Sequence, residues 1–172
     1  MAKKSKNKNS AAKFLPVIAA LFGVVAIVMF FLPAVVAKEN AESSYNFFKI
    51  AFGYKETSEG IVDVTVTHLN FSFMNLLTVL FVVGGTVLTV CNYLGKGKNN
   101  LFGFVAAICF VAAGVFFLLA VGFTSFNEDL TSIIGKLGGD IKEYYKLGIG
   151  SIIGAIVSFL AAVSAAAPAF LK

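Results

Sequence analysis

Hydrophobic positions along this chain fall into four long blocks and not into a short alternation. Phe14–Ala37, Leu69–Gly95, Asn99–Asn127 and Leu147–Leu171 contain no Asp, Glu, Lys or Arg, so every formal charge lies outside them. Each block exceeds the roughly 20 residues a helix needs to cross ~30 Å of hydrocarbon. In lipid, every backbone N–H and C=O must be satisfied within one segment or within a closed barrel. Barrel strands alternate apolar and polar residues over about ten positions, and runs such as Phe104–Leu119 and Ile152–Val163 do not. The pattern predicts an all-α membrane protein, a bundle of four transmembrane helices over 14–37, 71–94, 101–123 and 148–169, forming a single membrane domain.

The intervening segments carry weaker signals. Residues 1–13 are polar, lysine-rich and aperiodic, which predicts a disordered tail. Pro16 falls in the opening turn of the first span, and Pro33 is placed to kink or end that helix. In the first outer loop, 38–70, Val62, Val64 and Val66 alternate with Asp63, Thr65 and Thr67, a half-buried strand signature. The turn-rich stretch Gly53–Gly60 precedes it, which predicts a β-hairpin of Tyr45–Phe52 with Ile61–His68, although Phe47, Phe48, Ala51 and Phe52 equally suit one helix face. Residues 95–100 make a tight turn, so the second and third spans are antiparallel neighbours. In the second outer loop, 124–147, Leu130, Ile133, Ile134 and Leu137 have helical spacing; beyond Gly138-Gly139, Asp140 caps a further turn carrying Ile141, Tyr144 and Tyr145. Together the loops are expected to form a small extracellular cap, a hairpin from the first and short amphipathic helices from the second.

Charge sets the orientation. The chain has lysine but no arginine. Lys3, Lys4, Lys6, Lys8, Lys13, Lys96, Lys98 and Lys172 lie on one side with no acid; six lysines against all nine acids leave −3 on the other. The positive-inside rule places the first set, and so both termini, in the cytoplasm of a multi-pass plasma-membrane protein. The net +5 is thus a topology signal and not a nucleic-acid footprint. Val35-Val36-Ala37 before Lys38 has the small-residue look of a signal-peptidase site, but the apolar segment Phe14–Leu32 is longer than a signal core, so a retained helix is expected. Lysine without arginine, with abundant Asn, Phe and Ile, suggests an AT-rich bacterial genome.

Two helix faces stand out. In the fourth span Gly150, Gly154, Ser158, Ala161, Ala162 and Ala165 share one side, opposite Ile152, Ile153, Ile156, Val157, Phe159, Leu160 and Val163. Small residues let backbones approach where hydrophobicity gives helices no drive to associate, so Gly150, Gly154, Ser158 and Ala162 are the expected packing seam. In the second span Asn75, Thr78, Val82, Gly85, Thr89 and Asn92 recur every three or four residues. This inward polar stripe reads as interhelical hydrogen bonding or, alternatively, as a polar path for a ligand.

Chemistry is otherwise sparse. No Asp, Glu, Lys, Arg or His lies in a span, whereas ion-coupled transport generally needs one. His68 stands alone in the first loop with Asp63 five residues away, and no nucleotide motif or metal-ligand spacing occurs. No catalytic residue, metal, cofactor or nucleic-acid partner is therefore expected.

The layout of cytoplasmic ends, a long strand-bearing first outer loop, a tight inner turn and a shorter second loop resembles the claudin-like tetraspan group. Phe52-Gly53-Tyr54 before the second span is similar to a segment of small uncharacterised tetraspan proteins of low-GC bacteria. The first loop has neither the tryptophan nor the cysteine pair of the claudin-like group, so the resemblance implies architecture and no junction-forming role. The expected function is non-enzymatic, an accessory subunit or scaffold acting by contact with a membrane protein partner or a second copy within the lipid bilayer. Glu56, Glu59, Asp63, Glu128 and Asp129 would be its contact surface. The alternative is a small transporter or oligomeric pore for neutral or apolar solutes, using the stripe.

Overall fold

In a computed structural model, residues 3–39, 43–58, 64–95, 101–136 and 138–170 are described. Four helices form the body: α1 (Lys3–Met29), α3 (Phe73–Tyr93), α4 (Leu101–Leu118) and α7 (Ile149–Phe170). Both α3 and α7 pack against α1 and against α4, so the four close into a ring of antiparallel neighbours. Three of them, α3, α4 and α7, are long and apolar enough to cross a membrane; the apolar part of α1 is Phe14–Met29. Their outward surfaces carry exposed Leu80, Val87, Ile108, Val115, Ile156 and Val163. Apolar surface on that scale is stable against lipid and not against water, which marks a membrane-embedded protein.

The first helix differs from its expected bounds at both ends. It reaches back to Lys3, through the segment read as a disordered tail, and Pro16 consequently lies in its interior. At the other end it stops at Met29, the residue four before Pro33. The ring of a proline clashes with the carbonyl four residues back, and the residue before a proline is driven to extended backbone. Three i→i−3 bonds wind the helix down, from Phe30, Phe31 and Leu32 to the carbonyls of Ile27, Val28 and Met29 at 3.1, 3.1 and 3.2 Å. Residues Pro33–Ala37, assigned to the first span by hydrophobicity, are instead strand β1.

Between α1 and α3 lie β2 (Ser44–Asn46), the short helix α2 (Phe47–Phe52), β3 (Tyr54–Ser58) and β4 (Val64–Leu69). The hairpin is therefore β3 with β4, Lys55 opposite Thr67 and Thr57 opposite Thr65, and not Tyr45–Phe52 with Ile61–His68. Local chemistry explains the shift. The Asn46 side chain accepts the Lys49 N–H at 3.0 Å and caps α2, and Gly53, at φ 88°, closes it. That φ suits glycine and few other residues. Positions 59–63, including the expected Ile61 and Val62 of the strand, lie outside the described residues, as do 96–100 of the inner turn.

Beyond α4 the chain breaks at Leu119 and continues as α5 (Ala120–Phe123), α6 (Glu128–Lys136), a 3₁₀ turn (Ile141–Tyr144) and β5 (Tyr145–Leu147). The expected third span to 123 is thus two helical pieces. Asp140 does cap the turn, accepting the Lys142 N–H at 2.9 Å, but Tyr145 opens a strand and not a further turn. A three-stranded antiparallel sheet runs β2-β1-β5 and a two-stranded one β3-β4, so the fold is helical with two small sheets.

Candidate functional site: the joined inter-helix segments and the polar stripe

The segments before α3 and after α4 are built into each other. Central strand β1 pairs with β2 on one side and with β5 on the other, with Val35 opposite Leu147 and Ala37 opposite Tyr145. A second seam ties β4 to the start of the later segment. The Asn70 N–H donates to the Ser125 carbonyl at 2.8 Å, the Asn127 N–H to the His68 carbonyl at 3.2 Å, and the Asn127 amide to the Thr67 carbonyl at 2.7 Å. The Ser72 hydroxyl donates to the Phe123 carbonyl at 2.6 Å while accepting the Asn75 N–H. The Asn70-Phe71-Ser72 hydroxyl is thereby committed to the fold.

An aromatic cluster anchors this assembly to the bundle. Phe30 of the α1 end, Phe47 of α2 and Phe117 of α4 are fully buried, with ring centroids 5.3, 5.6 and 4.9 Å apart. The Phe47 N–H also donates to the Phe30 carbonyl at 3.1 Å. Further out, Tyr45 lies 6.0 Å from Tyr54 and 6.3 Å from Tyr145, which stacks on Phe126 at 4.6 Å. Burial and the neighbouring Tyr145 push the Tyr45 phenol up to about 12.

Titratable groups gather around Tyr54. The Lys49 ammonium sits 3.8 Å over its ring, His68 stacks on it at 5.8 Å, and His68 Nε2 lies 3.4 Å from a carboxylate oxygen of Glu56. His68 is therefore not a solitary loop residue. The partner is Glu56, twelve positions away and brought across by the hairpin; Asp63 lies outside the described residues. Of the expected contact surface, Glu56 and Glu128 are exposed, Glu59 is outside the described residues, and Asp129 is described only as part of the α6 backbone.

The seam of α7 is buried at Gly150, Gly154, Ser158 and Ala162, together with Ala155, Ala161 and Ala165. A Cβ on Gly150 would stand 2.8 Å from the Met29 carbonyl oxygen and 2.9 Å from that of Leu32; one on Gly154 would stand 2.6 Å from the Phe117 ring. The opposite face is narrower than the sequence pattern indicated. Val157 is buried, Ile153 packs on the core, and Phe159 fills the space at Gly114. Its exposed large side chains are Ile149, Ile152, Ile156, Leu160, Val163 and Phe170.

Asn75, Thr78, Val82, Gly85 and Thr89 of the stripe are buried, Asn92 is half-buried, and Thr86 joins them. The threonines do not bridge helices. Thr78, Thr86 and Thr89 donate to the carbonyls of Met74, Val82 and Gly85 in their own helix, at 3.4, 2.7 and 2.8 Å. Asn75 reaches across, its amide 3.5 Å from the Ile50 carbonyl, while its Oδ1, like the Ser158 hydroxyl, has no hydrogen-bond partner among the described residues. Midway along, the Phe110 ring lies against Gly85 and Gly23, 3.2 and 3.1 Å from where their Cβ atoms would be. Such ring-in-hollow packing is missed by pattern reading, because a phenylalanine inside an all-apolar helix carries no signal of which way it faces. Neither protein-family models nor curated proteins give a match to this chain.

Proposed function

We propose that this is a plasma-membrane protein crossing four times, with both termini cytoplasmic, that acts without catalysis as an accessory subunit or scaffold. The observation that carries the reading is the joining of the two inter-helix segments through β1 and β5 and through the Asn70–Asn127 seam. Ordering so much polar backbone is worthwhile where a surface must hold its shape for a partner. In α1, Phe14–Met29 spans about 24 Å at 1.5 Å per residue, and the turn through Leu32 adds the remainder of a ~30 Å crossing. The lysine distribution supports the orientation. A claudin-like layout is part of the same proposal, on architecture alone.

The contact reading has better support than a solute path. The stripe's threonines are turned back on their own helix, and Phe110 fills its middle. The test is purification from native membranes after mild cross-linking. A stoichiometric partner is expected, and Glu56→Lys with Glu128→Lys should abolish its retention without lowering the melting temperature. Solute flux through vesicles containing this protein alone, with no partner retained, would replace the proposal by the transporter reading. For topology, in a background lacking Cys91 and Cys109, Ser132→Cys should label from outside the cell and Ser10→Cys should not; labelling at position 10 refutes the orientation.

A further inference from the structure

The bend from α2 into β3 lies directly on the bend from β4 into α3. A Cβ on Gly53 would stand 3.0 Å from the Leu69 carbonyl oxygen, and the Ser72 N–H donates to the Ala51 carbonyl at 3.0 Å. Between the bends an open cavity of about 310 Å³ is lined by Phe52, Gly53, Tyr54 and Lys55 from one and Leu69, Asn70 and Phe71 from the other. Its position is set by α3, whose apolar crossing begins two residues later at Phe73. The cavity therefore opens where a bilayer changes from headgroup to acyl chain.

The lining is of two kinds. Phe52 and Phe71 are 57% and 55% exposed, and Phe73 and Met74 continue the exposed apolar surface along α3. The charged contribution is cationic. Lys55 is the one charged side chain of the lining among the described residues. Among the described residues no acid is in the lining: successive strand residues point to opposite faces, and Glu56 is turned to His68. Among the described residues Lys55 has no ion-pair partner.

We propose that this cavity seats the phosphate of an anionic phospholipid in the adjacent leaflet, with Lys55 meeting its charge. Phe52 and Phe71 then lie along the upper acyl chains. A zwitterionic lipid fits less well, because the lining offers no carboxylate for its amine. The inference rests on α3 crossing the membrane and not on the partner-binding reading, so either can fail alone.

The test is native mass spectrometry of the purified full chain, offered phosphatidylglycerol and phosphatidylcholine in equal amounts. The wild type should retain phosphatidylglycerol preferentially. Lys55→Gln should lower that retention about fivefold, the effect of one lysine near an anionic surface, while Lys55→Arg keeps it and Lys136→Gln on α6 leaves it unchanged. Equal retention of the two lipids overturns the proposal, as does loss on Lys136→Gln equal to that on Lys55→Gln, which would mean diffuse charge attraction. Displacement of the lipid by millimolar inorganic phosphate would show a free-anion site instead. A melting temperature taken beside each measurement separates loss of fold from loss of lipid; if Lys55→Gln melts early, the Lys55→Arg result decides, and loss of lipid there refutes the site.

Discussion

The helical bundle and the strand assembly are sorted by opposite rules. Along α7 Ile152, Ile156, Leu160 and Val163 face outward, Ile156 being 55% exposed, and the buried side is mostly small, with Gly154, Ala155, Ser158 and Ala161. In the assembly Phe47, Ile50 and Leu69 are buried, Lys55, Glu56 and Lys142 are outside, and Phe52 and Phe71 are exposed exceptions at its edge. Lipid supplies no hydrophobic drive between helices, so close backbone approach and ring-in-hollow fit hold the bundle. Water supplies that drive to the assembly, and long-range backbone hydrogen bonds fix its register. Phe47 belongs to both, because it is buried between the α1 end and α4 while opening α2. Phe47→Ala is expected to have the largest effect of any single change discussed, about 3–5 kcal/mol. Thermal unfolding in detergent should show the two regions melting together at a lower temperature. A variant with separate transitions would mean that the assembly and the bundle are energetically independent.

Within the bundle, the two glycines of the seam should not be equivalent. At Gly154 the obstacle is the Phe117 ring, which can rotate; at Gly150 it is backbone, the carbonyls of Met29, Leu32 and Pro33. Overpacking typically costs about 1–3 kcal/mol. Gly150→Leu is expected at the top of that range and Gly154→Leu lower, with Ile156→Leu on the exposed face close to neutral. Melting temperatures in one detergent rank the three. A Gly154 effect larger than the Gly150 effect would show that the stacked rings are more rigid than the α1 end.

Much of the bundle was legible in the sequence, because charge exclusion over 20 residues and small residues every three or four positions are both strong signals. Bounds for α3 and α7 come out within two residues of the expected ones. The assembly was less legible, for particular reasons. Val35 and Val36 are as apolar as any membrane residue, and hydrophobicity cannot distinguish a buried central strand from the end of a span. Pro33 held the information, since its steric reach ends the helix at Met29. The competing helix face of Phe47–Phe52 prevailed because Asn46 and Gly53 bracket it, a cap and a stop that outweigh apparent alternation. His68 could not have been matched to Glu56 without the hairpin register. The cavity at Lys55 combines two bends distant in sequence, and no local pattern announces it.

Ser151 tests the junction from the other side. Its buried hydroxyl donates to the Ala34 carbonyl at 2.9 Å, beside the Gly148 N–H that donates to the same oxygen at 2.8 Å. The pair locks the start of α7 onto β1. Removing one of two donors to a shared acceptor leaves that acceptor satisfied, so Ser151→Ala should cost only about 1 kcal/mol. Amide hydrogen exchange should then quicken in β1 and β5 and stay unchanged in α4. Equal quickening in α4 would mean that the lock stabilises the whole ring and not the junction alone.

The smallest expected effect is a pH response confined to the assembly. Tyr45 is half-buried, and burial first, then the neighbouring Tyr145, raises its pKa from 10.0 to about 12. A raised folded-state pKa means that folding favours the neutral phenol over the phenolate. The stability this provides is whole below pH 10 and is lost as pH rises from 10 towards 12. Alkaline titration followed by near-ultraviolet circular dichroism should therefore show the tyrosine environment loosening in that window while the helical signal persists. Tyr45→Phe has no proton to lose there, and it also lacks the phenol's hydrogen bond with Tyr145. It should begin slightly less stable at neutral pH and change less on titration. If wild type and variant loosen in parallel, ionisation elsewhere drives the transition, and the assembly is not held at Tyr45.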